Sequence, residues 1–222
     1  MAVLVNATSI DNFCGGSILT RRHILTAAHC VKGINRKDFH VMIGVTELKS
    51  IKMLRRYHVL KYIIHPSYYV PFNRSNDLAI IVLQNPLEMP QKGYVAKAIT
   101  LPNRSYIGKT AILSGYGAVW ANKTHCIGTA DLRSIELPVV SNKQCESRIG
   151  SKVDDSMLCA GFLYKNRGTL EGDSGGPLVI RKRHDKFIQI GVASWQITPD
   201  YYSGFADVWH SSRWIKYIIS KY

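Results

Sequence analysis

Gly172-Asp173-Ser174-Gly175-Gly176-Pro177 is the stretch on which the reading of this chain turns. Glycines on both sides leave the serine hydroxyl uncrowded and let backbone amides approach a reacting atom. A plain tight turn could be written with the same residues, so the rest of the chain has to arbitrate. A serine hydroxyl is a weak nucleophile at neutral pH. It needs an imidazole to take its proton and a buried carboxylate to hold that imidazole in one tautomer. Working outward, Leu25-Thr26-Ala27-Ala28-His29-Cys30 offers the imidazole, and Asn76-Asp77-Leu78-Ala79-Ile80 offers an acid opening an apolar strand. Taken singly, His29 is one histidine among eight and Asp77 an ordinary residue before a strand. Together with Ser174 they make the three groups of nucleophilic acyl transfer available.

The chain has 222 residues, 46% of them apolar and 20% charged, which excludes wholesale disorder and allows one or two domains. Short β-rich runs recur at Met1–Val5, His40–Val45, Val59–Ile64, Leu78–Leu83, Ala111–Ser114 and Phe187–Ser194, separated by Pro, Gly and Asn. That pattern predicts an all-β sandwich or barrel. The C-terminus differs: Ser211 or Ser212 can cap a helix carrying Trp214, Ile215, Ile218 and Ile219 on one side. A division between two β halves falls near Thr100 to Tyr106, giving 1–103 and 104–222.

The five cysteines, at 14, 30, 126, 145 and 159, form no CxxC pair, which argues against a structural zinc site. Four Asn-X-Ser/Thr sequons, at Asn6, Asn73, Asn103 and Asn122, beside cysteines able to pair, favour the secretory route. The longest aliphatic run, Leu78 to Leu83, is far too short for a membrane helix. No signal-peptide pattern opens the chain, so an upstream segment is expected to be missing from it. A formal charge of +14 gathers at Arg21-Arg22, Arg36-Lys37, Lys49 to Lys61 and Arg181-Lys182-Arg183. These clusters fit solvated loops, or a field that holds the protein on an anionic partner such as a sulfated glycan. No stripe of basic and aromatic residues points to nucleic acid. Neither a dinucleotide fingerprint nor a phosphate loop occurs, and Glu47 alone offers too few carboxylates for calcium; no cofactor or metal is expected.

Over nearly its whole length the sequence resembles the chymotrypsin-like (trypsin-fold) serine proteases. The runs from Cys14 to His29 and from Cys159 to Ser174 match that family's spacing without a gap. The resemblance implies two antiparallel six-stranded β-barrels with a C-terminal α-helix. It implies His29 as general base, Asp77 as its orienting partner and Ser174 as nucleophile, with backbone amides of Gly172 and Ser174 as the oxyanion hole. Ser194-Trp195 resembles the strand that pairs with the substrate backbone. Protein or peptide substrates, and protease inhibitors, are the partners this implies. Cys14 is expected to pair with Cys30 and Cys145 with Cys159, leaving Cys126 as a free thiol or half of an intermolecular bridge.

The departures from the family carry their own expectations. Active members begin with a new Ile or Val amino group that pairs with the acid standing here as Asp173, whereas this chain opens Met1-Ala2-Val3-Leu4-Val5. Asp173 is therefore expected to lack a partner within the chain, its loop to relax, and the chain to be nearly inactive. Gly168 stands where trypsins keep an aspartate, so binding of Arg or Lys is not expected. Leu170 replaces a cysteine, removing a bridge that braces the pocket. Gln196 takes the place of a glycine at the pocket mouth, Thr169 and Ser203 are expected to line the interior, and Tyr201 and Tyr202 to fold over it. Two functions follow: a secreted endopeptidase cleaving after a non-basic residue, or an impaired protease homologue that binds or regulates.

Overall fold

The computed structural model describes residues 1–9, 11–48, 55–88, 97–120, 126–127, 129–163, 168–196 and 202–222, with the backbone alone described at 119, 120, 126, 127 and 185. The first half contains β1 (Ala2–Asn6), β2 (Asn12–Ile18), β3 (His23–Thr26), β4 (Phe39–Ile43), β5 (Tyr57–Ile64) and β6 (Ala79–Leu83). These close into a barrel in the order β1-β2-β3-β6-β5-β4, every neighbouring pair antiparallel. β6 reads Ala-Ile-Ile-Val-Leu and is buried along its whole length, as befits a β-branched run packed on both faces. Leu4, Ile24, Leu25, Phe39 and Leu83 fill the barrel with it.

The second half contains β7 (Thr110–Gly115), the short hairpin β8 (Val119–Trp120) and β9 (Cys126–Ile127), then β10 (Arg133–Val140), α1 (Asn142–Ile149), β11 (Met157–Ala160), β12 (Pro177–Arg181), β13 (Phe187–Trp195) and β14 (Ser203–Asp207). Its barrel closes in the order β10-β11-β14-β13-β12-β7 around Leu113, Leu137, Leu158, Leu178 and Phe205. The all-β fold of two six-stranded antiparallel barrels is thus observed.

The chain ends in α2 (Ser212–Lys221). Ser211 occupies the cap position but makes no capping bond, and among the described residues its buried hydroxyl has no partner. Ile215 and Ile218 pack into the hydrophobic cluster of the first barrel, and Trp214 meets His65 edge to face at 4.7 Å. The last helix therefore closes the core of the first half.

α1 does not figure in the sequence expectations. Its signals are local: Ser141 Oγ accepts the Gln144 amide, and Gly150 ends the helix in the left-handed region. With only Cys145 of its residues buried, it has almost no apolar periodicity to read. Its anchor is covalent, Cys145 being disulfide-bonded to Cys159 on β11. A second disulfide joins Cys14 to Cys30. The Cys126 side chain, the Asn122 sequon and Tyr201 lie outside the described residues. No helix among the described residues is long and apolar enough to cross a membrane.

Candidate active site

The register of β3 and β6 brings the first two groups together. Leu25 faces Ile80 and Thr26 faces Ala79 in an antiparallel ladder. Residues just beyond Thr26 therefore run beside residues just before Ala79, which sets His29 against Asp77. His29 Nδ1 donates to Asp77 Oδ2 at 2.7 Å, and the His29 backbone N–H donates to Oδ1 at 2.9 Å. A carboxylate oxygen accepts from Nδ1–H, and in the neutral ring that arrangement leaves Nε2 its lone pair. Asp77 is 4% exposed at its side chain and His29 33%, a buried anchor holding a reachable ring.

A third donor reaches the same acid. Ala193 pairs with Phe205 and Trp195 with Gly204, so Ser194 is the extra residue of a bulge in β13. Bulges re-aim side chains. Here the Ser194 hydroxyl donates to Asp77 Oδ2 at 2.5 Å.

Ser174 comes to this place from the second barrel. Its carbonyl accepts the Gly15 amide at 2.7 Å, and the next residue, Gly175, donates to Ala193 O at 2.8 Å. Gly175 has φ of +77°, and a Cβ there would lie 2.3 Å from Thr26 Oγ1 and 2.4 Å from Gly15 O. Only glycine lets the loop approach the first barrel this closely. Among the described residues no hydrogen bond joins Ser174 Oγ to His29, whose Nε2 lies 3.7 Å from Cys30 Sγ. Such bonds are often open before substrate binds. The amides of Gly172 and Ser174 donate to no group among the described residues, leaving both free for a ligand oxygen.

Asp173 does not stand without partners as the sequence predicts. Its Oδ1 accepts the Gly117 amide at 2.9 Å and its Oδ2 the Leu170 amide at 3.0 Å. No cation meets it among the described residues. Burial pushes its carboxyl above the usual range, and the two amides hold it back in part.

A cavity of about 170 Å³ opens beside Ser174, lined by Thr169, Leu170, Glu171, Ser194, Trp195 and Gln196 among others. Two residues expected there are not part of its lining. Ser203 is fully buried and accepts the Thr169 amide at 2.8 Å. Gly168 lies against it, so that a Cβ would stand 2.4 Å from Ser203 Oγ. Tyr202, expected over the pocket, is instead buried and receives the Gln144 side-chain amide at 2.9 Å. The Trp195 indole, part of the lining, is folded over Gly204. Nothing in the sequence marks that packing, or the bulge at Ser194.

Among the described residues the close-set metal-type donors are Cys14, His29 and Cys30. Both sulfurs are spent in the disulfide and cannot act as thiolate ligands.

The family model described as Trypsin matches residues 1–215. The chain is 33% identical over 198 residues to kallikrein 1-related peptidase b3 of Mus musculus, spanning 84% of this chain and 70% of that protein. It is also 33% identical over 209 residues to hypodermin-A of Hypoderma lineatum, spanning 90% of this chain and 75% of that one. Among solved structures, neuropsin, a serine protease expressed in the limbic system of mouse brain, superposes with a TM-score of 0.81 at 28% identity, covering 98% of this chain and 93% of its own.

Proposed function

The chain belongs to the trypsin family of serine proteases, and on that footing we propose that it hydrolyses peptide bonds through Ser174, His29 and Asp77. The observation that carries this reading is the two-point grip of Asp77 on His29, with bonds of 2.7 and 2.9 Å. It fixes the tautomer whose Nε2 can accept the Ser174 proton as Oγ attacks the scissile carbonyl. The developing oxyanion would take hydrogen bonds from the free amides of Gly172 and Ser174. His29 then returns the proton to the leaving amine, and a water activated by the same ring releases the acyl group from Ser174. Halves 1–103 and 104–222 would contribute His29 with Asp77 and Ser174 respectively.

The small cavity and Gln196 support cleavage after a small, non-basic residue. Two disulfides, together with the exposed sequons Asn6, Asn73 and Asn103, support secretion and glycosylation. Exposed pairs such as Arg21-Arg22 and Arg36-Lys37 support an anionic glycan as partner, and protease inhibitors belong to the same reading. Elution from heparin only above physiological salt is the expected result for the glycan.

A second reading, an impaired homologue that binds or regulates, is favoured by the absence, among the described residues, of a Ser174–His29 bond and of a cation at Asp173. A fluorophosphonate probe separates the two. Stoichiometric labelling that disappears in Ser174→Ala supports the enzyme; a folded protein that never labels supports the binder.

A further inference from the structure

A second cavity of about 410 Å³ adjoins the first, with Trp195 bordering both. Its apolar wall is Phe72, Ile149 and Met157, and its charges are Arg74 and Lys152. The Arg74 guanidinium lies 5.2 Å from the centre of the Trp195 ring, and no carboxylate pairs with it among the described residues. Arg74 has φ of +80°, a conformation costly for a side-chain-bearing residue. The surrounding turn holds it there: the Tyr69 amide donates to Ser75 O, and the Phe72 amide to Ser75 Oγ. Among the described residues Lys152 has only Glu146 at 4.0 Å, and that carboxylate oxygen already accepts the Val153 amide. The nearby acid Asp154 is committed to the Ser75 and Ser156 hydroxyls and the Ser156 amide. The cavity thus presents two under-paired cations around an apolar floor.

We infer that this cavity selects an acidic side chain, Glu or Asp, on the acyl side of the cleaved bond, with Arg74 as the specificity-determining residue. The inference rests on the proposed protease reading, together with the resemblance of Ser194-Trp195 to the strand that pairs with the substrate backbone. A peptide extended there, with one side chain in the Ser174 cavity, carries an upstream side chain past Trp195 into the second one. A carboxylate meets Arg74 in the fork geometry that guanidinium favours, while the aliphatic stem covers Phe72 and Ile149. A neutral amide of the same shape gains no such charge-assisted bond.

The test uses peptide substrates that differ only by Glu, Gln or Lys at the second, third or fourth residue before the cleaved bond. At one of these positions Glu should exceed Gln in kcat/KM by roughly tenfold, the size of one charge-assisted bond. Arg74→Glu should reverse the order so that Lys exceeds Glu, while Arg213→Gln on the distant C-terminal helix keeps the original ratio. Lys152→Glu gives a second reversal should Arg74→Glu fold poorly. Equal rates for Glu and Gln at all three positions, or an order unmoved by both reversals, overturn the inference. Binding of the same peptides to Ser174→Ala, followed by tryptophan fluorescence, reads the preference without hydrolysis. Preferential binding of Glu peptides to a parent chain that cleaves none of them overturns the protease reading but upholds the cavity's choice of an acidic side chain. Cleavage with no preference does the reverse, and neither binding nor cleavage sinks both.

Discussion

Ser194 Oγ and Asp77 Oδ2 are 2.5 Å apart, a contact that ties a bulge of the second barrel to an acid of the first. Asp77 therefore accepts from both halves of the molecule, and its two oxygens are fixed before any substrate arrives. Ser194→Ala removes one of these bonds and should lower kcat/KM by about tenfold, one charge-assisted bond. Asp77→Asn should lower kcat by about four orders of magnitude, a size that belongs to Ser-His-Asp chemistry in general. Steady-state hydrolysis of a peptide ester, normalised to active sites, checks both. An Asp77→Asn variant as fast as the parent would remove the acid from the mechanism.

Gly204 and Trp195 make a second testable pair. A Cβ at 204 would lie 1.9 Å from the indole Cε2 and 2.1 Å from Cδ2. Gly204→Ala must therefore expel the ring, at a cost of about 1–3 kcal/mol. Tm should fall and tryptophan emission shift to the red, and adding Trp195→Ala should restore part of the loss. An unchanged Tm would show that the ring does not rest there.

Two groups near the last helix give stability opposite slopes with pH. Burial pushes the Asp207 carboxyl up to about 6, the Asp155 charge adding to this while the His210 and Trp209 amides oppose it. Its contribution is present below its ordinary value of 3.8 and is lost as pH rises towards 6. Burial pulls the His65 imidazole down to about 4, helped by His210. Its contribution is present above 6.5 and is lost as pH falls towards 4. Urea unfolding from pH 4 to 7 should show Asp207→Asn gaining on the parent as pH rises. It should show His65→Asn losing less against the parent as pH falls. Differences independent of pH would contradict both assignments.

The disulfides span 16 and 14 residues, Cys14 to Cys30 and Cys145 to Cys159. Each should contribute about 3 kcal/mol in the chain-entropy model. Serine at both Cys145 and Cys159 should cost about that much in denaturant unfolding and loosen α1, whose side chains are otherwise mostly exposed. Serine at Cys14 and Cys30 should cost a similar amount and also lower turnover, because Cys30 adjoins His29. Equal unfolding free energies before and after replacement would refute the estimate.

Motif and periodicity carried the sequence reading a long way. β6 is a continuous apolar run, and β1, β5 and β13 are β-rich segments that any strand rule finds. β2 and β3 escaped because glycine, cysteine and histidine dilute their apolar pattern, although both are largely buried. The His29, Asp77 and Ser174 segments stood out by composition. Their supporting residues did not, because support is a property of register: Ser194 reaches Asp77 only through a one-residue bulge. The pocket is the part least legible in the sequence, because its lining is set by packing. Ser203 looked like a lining residue, yet its hydroxyl is turned inward to the Thr169 amide. Arg74 gave no signal at all, since its meaning comes from a ring 121 positions away along the chain.

The seat of α2 on the first barrel has a consequence for biosynthesis. Ile215 and Ile218 complete an apolar cluster whose other members include Leu4, Ile24 and Leu83. A ribosome that has delivered both barrels but not yet this helix holds a nascent protein with a seam still open in its earliest-made half. Premature termination anywhere before Trp214 would leave that seam wetted, making such products ready clients for chaperones and proteases.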